Sequence, residues 1–220
     1  MARWLAWSRA AMATAGPPDG RAGRDRPMAR MYVIQTGRTV WDEQTRVESA
    51  PGAPLTEAGQ QAVQDAAREL GTRTAITTVY ASDGQTEQQT AQLVAHLLGA
   101  KVRTNRDLRE IDYGLWQGLT EEEIQRRQPK LFRQWVESPA TVRPPGGESL
   151  DEVQQRIAKA VRDILKRHKN GRALVVLRPV ALGLLRCLVR RDQIGGLWQN
   201  VGRACTWDVL EGDQDLFNGS

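Results

Sequence analysis

Two short segments of this 220-residue chain hold residue types suited to binding or chemistry. Gln35-Thr36-Gly37 follows the apolar run Met31-Tyr32-Val33-Ile34, and Arg178 follows Ala173 to Leu177. Both runs read as buried strands. Where strands alternate with helices the sheet is mostly parallel, and ligands bind beyond the carboxyl ends of its strands. The two segments should therefore face one crevice. Arg178, Arg38 and the backbone of Gln35-Thr36-Gly37 have the character to hold an anion there. The chain has two histidines, His96 and His168. Both fall in helical segments away from strand ends, so neither is expected to act as a nucleophile.

The elements that must position this crevice carry clear local signals. Thr56 precedes a helix, with Glu57 in its first turn where an acid suits the dipole. Val63, Ala66, Ala67 and Leu70 then recur at helical spacing. Thr77 to Ala81 is β-branched and strand-like. Gln88 to Leu98 returns to helical spacing through Leu93, Val94, Leu97 and Leu98. Thr120-x-x-Glu123 and Ser149-x-x-Glu152 are capping boxes. The second opens the strongest amphipathic helix, with Val153, Ile157, Val161, Ile164 and Leu165 on one face. Pro179 can take the first helical position, where its missing N–H costs nothing, and Val180 to Val189 follows as an apolar helix. Cys205 to Leu210 reads as the last strand. The expected fold class is α/β, a mostly parallel central sheet with helices on both faces.

Several motifs occur in order from Met31 to about Leu210. Pro54-Leu55-Thr56-Glu57-Ala58-Gly59 fits P-L-T-x-x-G. Tyr80-Ala81-Ser82-Asp83 with Gln89-Thr90-Ala91 is similar to Y-S-S-D…Q-T-A. Leu108-Arg109-Glu110 through Gly114, Trp116 and Gly118 fits L-R-E-x-x-x-G-x-W-x-G. Pro145-Gly146-Gly147-Glu148-Ser149 fits P-G-G-E-S. On these motifs the chain resembles the histidine phosphatase superfamily, in its phosphoglycerate-mutase-like branch.

The resemblance implies phosphoryl transfer or hydrolysis. In that family a histidine after the first strand attacks phosphorus, a second histidine and two arginines hold the phosphate, and a glutamate is the general acid. Such chemistry needs fixed cations at the phosphoryl oxygens and a nucleophile that is neutral near pH 7. Here the nucleophile position holds Thr36 and the first arginine position Gln35. Thr86 stands at the second arginine position and Arg178 at the second histidine position. Only Glu110, at the acid position, matches. Thr36 would need an adjacent base to attack, and Glu110 is the nearest candidate. Losing one donor of this kind costs about 10²–10³ in rate.

A catalytically inactive, binding, regulatory or scaffolding protein is therefore expected. Gln35, Thr36, Gly37, Arg38, Glu110 and Arg178 form its residual ligand-binding set, with no metal and no cofactor. Arg178 is expected to pair with Glu110 or with a bound anion. The alternative is a residual or rewired phosphomonoesterase or mutase. Restoring His at 36 and 178 and Arg at 35 and 86 is expected to recover some turnover.

Composition bounds the partners. Formal net charge is +5 and the pI about 9.6, but acids and bases alternate, so nucleic acid is not an expected partner. A protein, including a related chain in a homo- or hetero-oligomer, or an anionic small molecule is expected. Trp41, Trp116, Trp135 and Trp198 are candidates for an interface or for the core. Arg186, Arg190 and Arg191 read as a solvated helix end. Cys187 and Cys205 read as buried free thiols of a cytoplasmic protein. No apolar run approaches the roughly 18 residues of a membrane span. Residues 1–30 are rich in Arg, Ala, Gly and Pro and read as a disordered tail or a targeting leader. Residues 31–212 form the domain, and 213–220 a tail.

Overall fold

A computed structural model describes residues 28–168 and 171–213. The N-terminal stretch, except its last three residues, and most of the C-terminal tail lie outside them. The first strand, β1 (Met28–Gln35), is followed by a short helix α1 (Val40–Glu43) and by α2 (Glu57–Arg73). Then come β2 (Thr78–Ala81), α3 (Gln85–Leu98) and β3 (Lys101–Thr104). Helices α4 (Glu121–Arg127), α5 (Pro129–Glu137) and α6 (Leu150–Arg167) form the middle of the chain. β4 (Ala173–Leu177), α7 (Pro179–Arg190), α8 (Leu197–Asn200) and β5 (Trp207–Asp213) complete it. The sheet order is β3-β2-β4-β1-β5, parallel except for β5, which runs against β1.

Alternation along the strands divides the core between two faces. Tyr32, Ile34, Val79, Ala81, Leu174 and Val176 pack with α2 and α3 through Val63, Leu70, Ala91 and Val94. Met31, Val33, Tyr80, Val175 and Leu177 pack with α6 and α7 through Val153, Ile157, Val161 and Leu184. Helices thus cover both faces, which a parallel sheet requires.

The local start signals form as read. Thr56, Thr120 and Ser149 each accept a hydrogen bond from a backbone N–H of the first helical turn. Pro179 occupies the first position of α7. Four details differ from the sequence reading. β1 begins at Met28 because its backbone pairs with β5 as far as Asp213. β5 begins at Trp207, since Cys205 sits in the preceding turn with φ +61°. The short edge strand β3 and the helix α5 were not anticipated: β3 has only Val102 as an apolar residue, and α5 is opened by Pro129.

The fourth difference concerns the arginines of α7. Arg186 is buried, donating to the Asn200 carbonyl (3.1 Å) and pairing with Asp208 (3.4 Å). Arg190, in the last turn, and Arg191, in a left-handed conformation at the helix end, are exposed as expected. Trp116 and Trp135 are buried and, with Tyr113 and Trp198, form a chain of edge-to-face contacts at 5.2–6.2 Å. Core packing is thus their role. No helix among the described residues is long and apolar enough to cross a membrane.

Candidate functional site

The ends of β1 and β4 lie side by side, as the parallel topology demands. The Thr36 N–H donates to the Leu177 carbonyl (3.0 Å), and the Thr36 carbonyl accepts from Cys205 N–H (3.3 Å). Thr36 is 2% exposed. The Gln35 amide is used by the neighbouring turn, donating to the Gly202 carbonyl (3.2 Å) and accepting from Ala204 N–H (3.3 Å). The Gly37 N–H donates to Thr90 Oγ1 (3.3 Å). A Cβ on Gly37 would lie 2.9 Å from Val63 and 3.0 Å from the Gly59 carbonyl, so only glycine lets the chain pass α2 here. The Arg38 side chain is exposed.

Arg178 ends β4, and its side chain is 5% exposed. Its Nη2 pairs with Asp42 and its Nη1 with Glu48, both at 3.3 Å. Nη2 donates to Asp42 Oδ1, while Nε and Nη1 have no aligned hydrogen bond, so Glu48 holds Nη1 by charge. Asp42 is placed by a capping box at the start of α1: Thr39 Oγ1 accepts from the Asp42 N–H, and the Asp42 carboxylate accepts from the Thr39 N–H. Glu48 is fully buried and accepts from Thr39 Oγ1 (2.5 Å), Thr86 Oγ1 (2.7 Å) and Ala53 N–H (2.9 Å). Glu87, in the first turn of α3, is also buried and accepts from Ser82 Oγ (2.9 Å). Burial alone would drive protons off Arg178. Asp42, Glu48, Glu87 and Glu110 outweigh it and push its pKa further up. Burial pushes the Glu87 carboxyl up despite the opposing pull of Arg178.

Glu110 differs from the expectation that it pairs with Arg178. Its ion-pair place is taken by Asp42 and Glu48, and its own oxygens accept from the N–H groups of Ile111, Val180 and Ala181, each at 2.9 Å. Val180 and Ala181 follow Pro179, so these are the first free donors of α7. A carboxylate at a helix N-terminus satisfies groups that have no intrahelical partner. Glu110 is nonetheless so deeply buried that desolvation raises its carboxyl to about 7, against the pull of Arg178 and of the three N–H groups.

The loop that carries Glu110 is held from below by Arg156 of α6. Its guanidinium pairs with Glu148 (2.7 Å) and donates to the carbonyls of Asp107 (3.1 Å), Arg109 (2.6 Å) and Glu110 (2.9 Å). Burial would raise the Glu148 carboxyl, but Arg156 and the Asp112 N–H hold it below the usual range. Gly114, at φ +51°, passes so close to the 145–147 loop that a Cβ would lie 2.3 Å from the Pro145 carbonyl. At the rim, Arg109 grips Asp83 with two bonds of 2.5 Å and lowers its pKa.

Thr36 thus lies beside the end of β4, while Arg178, Glu48 and Thr86 are linked and Glu110 caps α7. Gln35 serves the neighbouring turn and Arg38 faces solvent. Asp42, Glu48 and Glu87 were missed. Thr39-x-x-Asp42 is a readable cap signal, and Glu87 in a first helical turn reads as a solvated acid. Nothing in the sequence marks Glu48. His96 is exposed on α3, and His168 contacts the Tyr80 hydroxyl at 2.9 Å. Neither reaches the crevice. No group of three or more His, Cys, Asp or Glu side chains among the described residues is arranged for a metal.

The fold and these motifs define a class, and comparison with known proteins agrees. The chain belongs to the histidine phosphatase superfamily (branch 1), whose family model matches residues 31–218. It is 33% identical over 176 residues to a bifunctional protein of Mycobacterium tuberculosis, covering 79% of this chain and 48% of that one. The chain thus spans about half the length of that relative. It is 33% identical over 165 residues to phosphoglycerate mutase-like protein 4 of Arabidopsis thaliana, covering 74% of this chain and 70% of the relative. Among solved structures it is similar to YhfR of Bacillus stearothermophilus, with TM-score 0.78 and 27% identity over 82% of this chain and 89% of that one.

Proposed function

We propose that this chain is a histidine-phosphatase fold without phosphoryl-transfer chemistry, and that it acts by binding, in a regulatory or scaffolding role. The observation that carries this reading is Thr36, buried at the end of β1 where the family places its nucleophilic histidine. A threonine cannot form the phosphohistidine. Both histidines of the chain lie elsewhere, so no second imidazole replaces it. Arg178, a buried cation at the end of β4, is engaged by two carboxylates. A protein partner fits this reading better than a small anion, because Arg178 and the first donors of α7 are already used internally and Arg38 faces solvent.

The competing reading is a rewired phosphomonoesterase with Thr36 as nucleophile and Glu110 as base. Its support is a buried carboxyl near 7 beside the former site. Against it, both Glu110 oxygens already accept backbone hydrogen bonds. The test is hydrolysis of p-nitrophenyl phosphate by wild type, Thr36→Val and Glu110→Ala. Equal, background-level rates in all three support the binding reading. A wild-type rate that both substitutions abolish establishes a rewired enzyme.

A further inference from the structure

Two kinds of group near the crevice attract anions, and each is already satisfied from within the chain. The first donors of α7 point at Glu110. The Arg178 guanidinium lies against Asp42 and Glu48. The charge of Arg178 is also felt by Glu87 and Glu110, so four carboxylates stand around one cation. An oxyanion entering this space meets net negative charge in a poorly solvated setting, where Coulomb repulsion is strong. A guanidinium there meets two carboxylates, one at each Nη at 3.3 Å, whose charge compensates its own.

We propose that the crevice is a guanidinium site, that the Arg178 head group is its built-in occupant, and that the occupied site rejects free phosphate and sulfate. The inference deepens the reading that the chain performs no phosphoryl transfer and rests on it for the exclusion of phosphate. Several carboxylates in a cluster are not by themselves a site. Here the cluster already holds a cation, 5% exposed and ion-paired on two of its nitrogens. The upward displacement of the Glu87 carboxyl fits the same picture, since that acid is buried without an ion pair of its own.

Chemical rescue tests the proposal. Wild type and Arg178→Ala are melted at about pH 7.5 in guanidinium chloride up to about 20 mM, with sodium chloride and urea as controls, and separately in about 10 mM phosphate or sulfate. Arg178→Ala should melt several degrees below wild type. Guanidinium should raise its Tm saturably by roughly 3 °C or more, with no such rise in urea or sodium chloride. Wild type should respond neither to guanidinium nor to the oxyanions. A saturable rise of the wild-type Tm with phosphate or sulfate overturns the proposal. So does an Arg178→Ala variant that phosphate stabilises and guanidinium does not.

A variant that folds only with guanidinium present upholds the proposal. If Arg178→Ala folds under neither condition, Arg178→Lys carries the test: indifference to phosphate upholds exclusion, and stabilisation by phosphate overturns it. Turnover of p-nitrophenyl phosphate by wild type would sink the functional reading, while guanidinium rescue would still report separately on the Arg178 site.

Discussion

The crevice around Arg178 and the loop around Arg156 are built from the same materials and put them to different uses. Each centres on one arginine with glutamates beside it. Around Arg156, the residues matching the family motifs are present, and each holds backbone: Glu148 accepts from the Asp112 N–H, and Gly114 lets two loops touch. Around Arg178, the side chains hold one another: Asp42 and Glu48 pair with the guanidinium, and Thr86 donates to Glu48. The glycines and carboxylates of the Arg156 loop shape the chain, whereas the side chains around Arg178 satisfy one another. A family signature can therefore report a fold faithfully and say nothing of the reaction.

If the Arg156 loop is the structural region, its loss should be the more damaging. Arg156→Met should cost roughly 3–5 kcal/mol, because it strands a half-buried carboxylate and three carbonyls. Chemical denaturation reads this directly, and a loss under about 1 kcal/mol would erase the distinction between the regions.

The crevice should reveal itself through pH. The folded pKa of Glu110, about 7, lies above its ordinary 4.5, so between these values the folded chain binds more protons than the unfolded one. Stability should then fall as pH rises through this window and level off above it, by about 3 kcal/mol at 1.36 kcal/mol per unit. Glu87, also displaced upward, adds to the same slope. Glu110→Gln should flatten the slope while lowering stability overall, since an amide cannot accept all three N–H bonds. An unchanged slope would mean that Glu110 is not the buried proton site.

Restoring the motif sharpens the comparison further. The variant Gln35→Arg, Thr36→His, Thr86→Arg, Arg178→His removes the internal cation but keeps Glu48 in place. Its hydrolysis of an aryl phosphate should rise at least a further tenfold, about 1.4 kcal/mol in barrier, when Glu48→Gln is added. Full recovery without that fifth change would show that the surrounding acids do not matter. The smallest effect belongs to Leu115, 73% exposed in the well-held loop. Leu115→Ser should change stability by less than about 0.5 kcal/mol, and a larger loss would reveal a contact made by its side chain.

What the sequence revealed follows the range of each signal. Thr56, Thr120 and Ser149 announce helices because a cap and its recipient N–H lie within one turn. The paired faces of β1 and β4 follow from alternation. Arg178, by contrast, meets Asp42 across 136 positions, and no periodicity encodes that meeting. The arginine was correctly placed in the crevice and assigned the wrong carboxylate. Arg186 failed for a related reason: a charge at the end of an apolar run reads as solvated until Asn200 and Asp208 fold over it.

The place of β1 in the sheet also sets the order in which the chain can fold. Its neighbours are β4 and β5, so Tyr32 waits for Leu174 and Val209 before either edge is covered. During synthesis this apolar strand emerges before both of its partners and waits for them to be sealed. The unit from β2 through α3 to β3 is local and can close early, whereas inserting β1 requires a long loop to be drawn in. Such non-local pairing slows folding toward the millisecond-to-second range and leaves an unpaired strand open to association meanwhile.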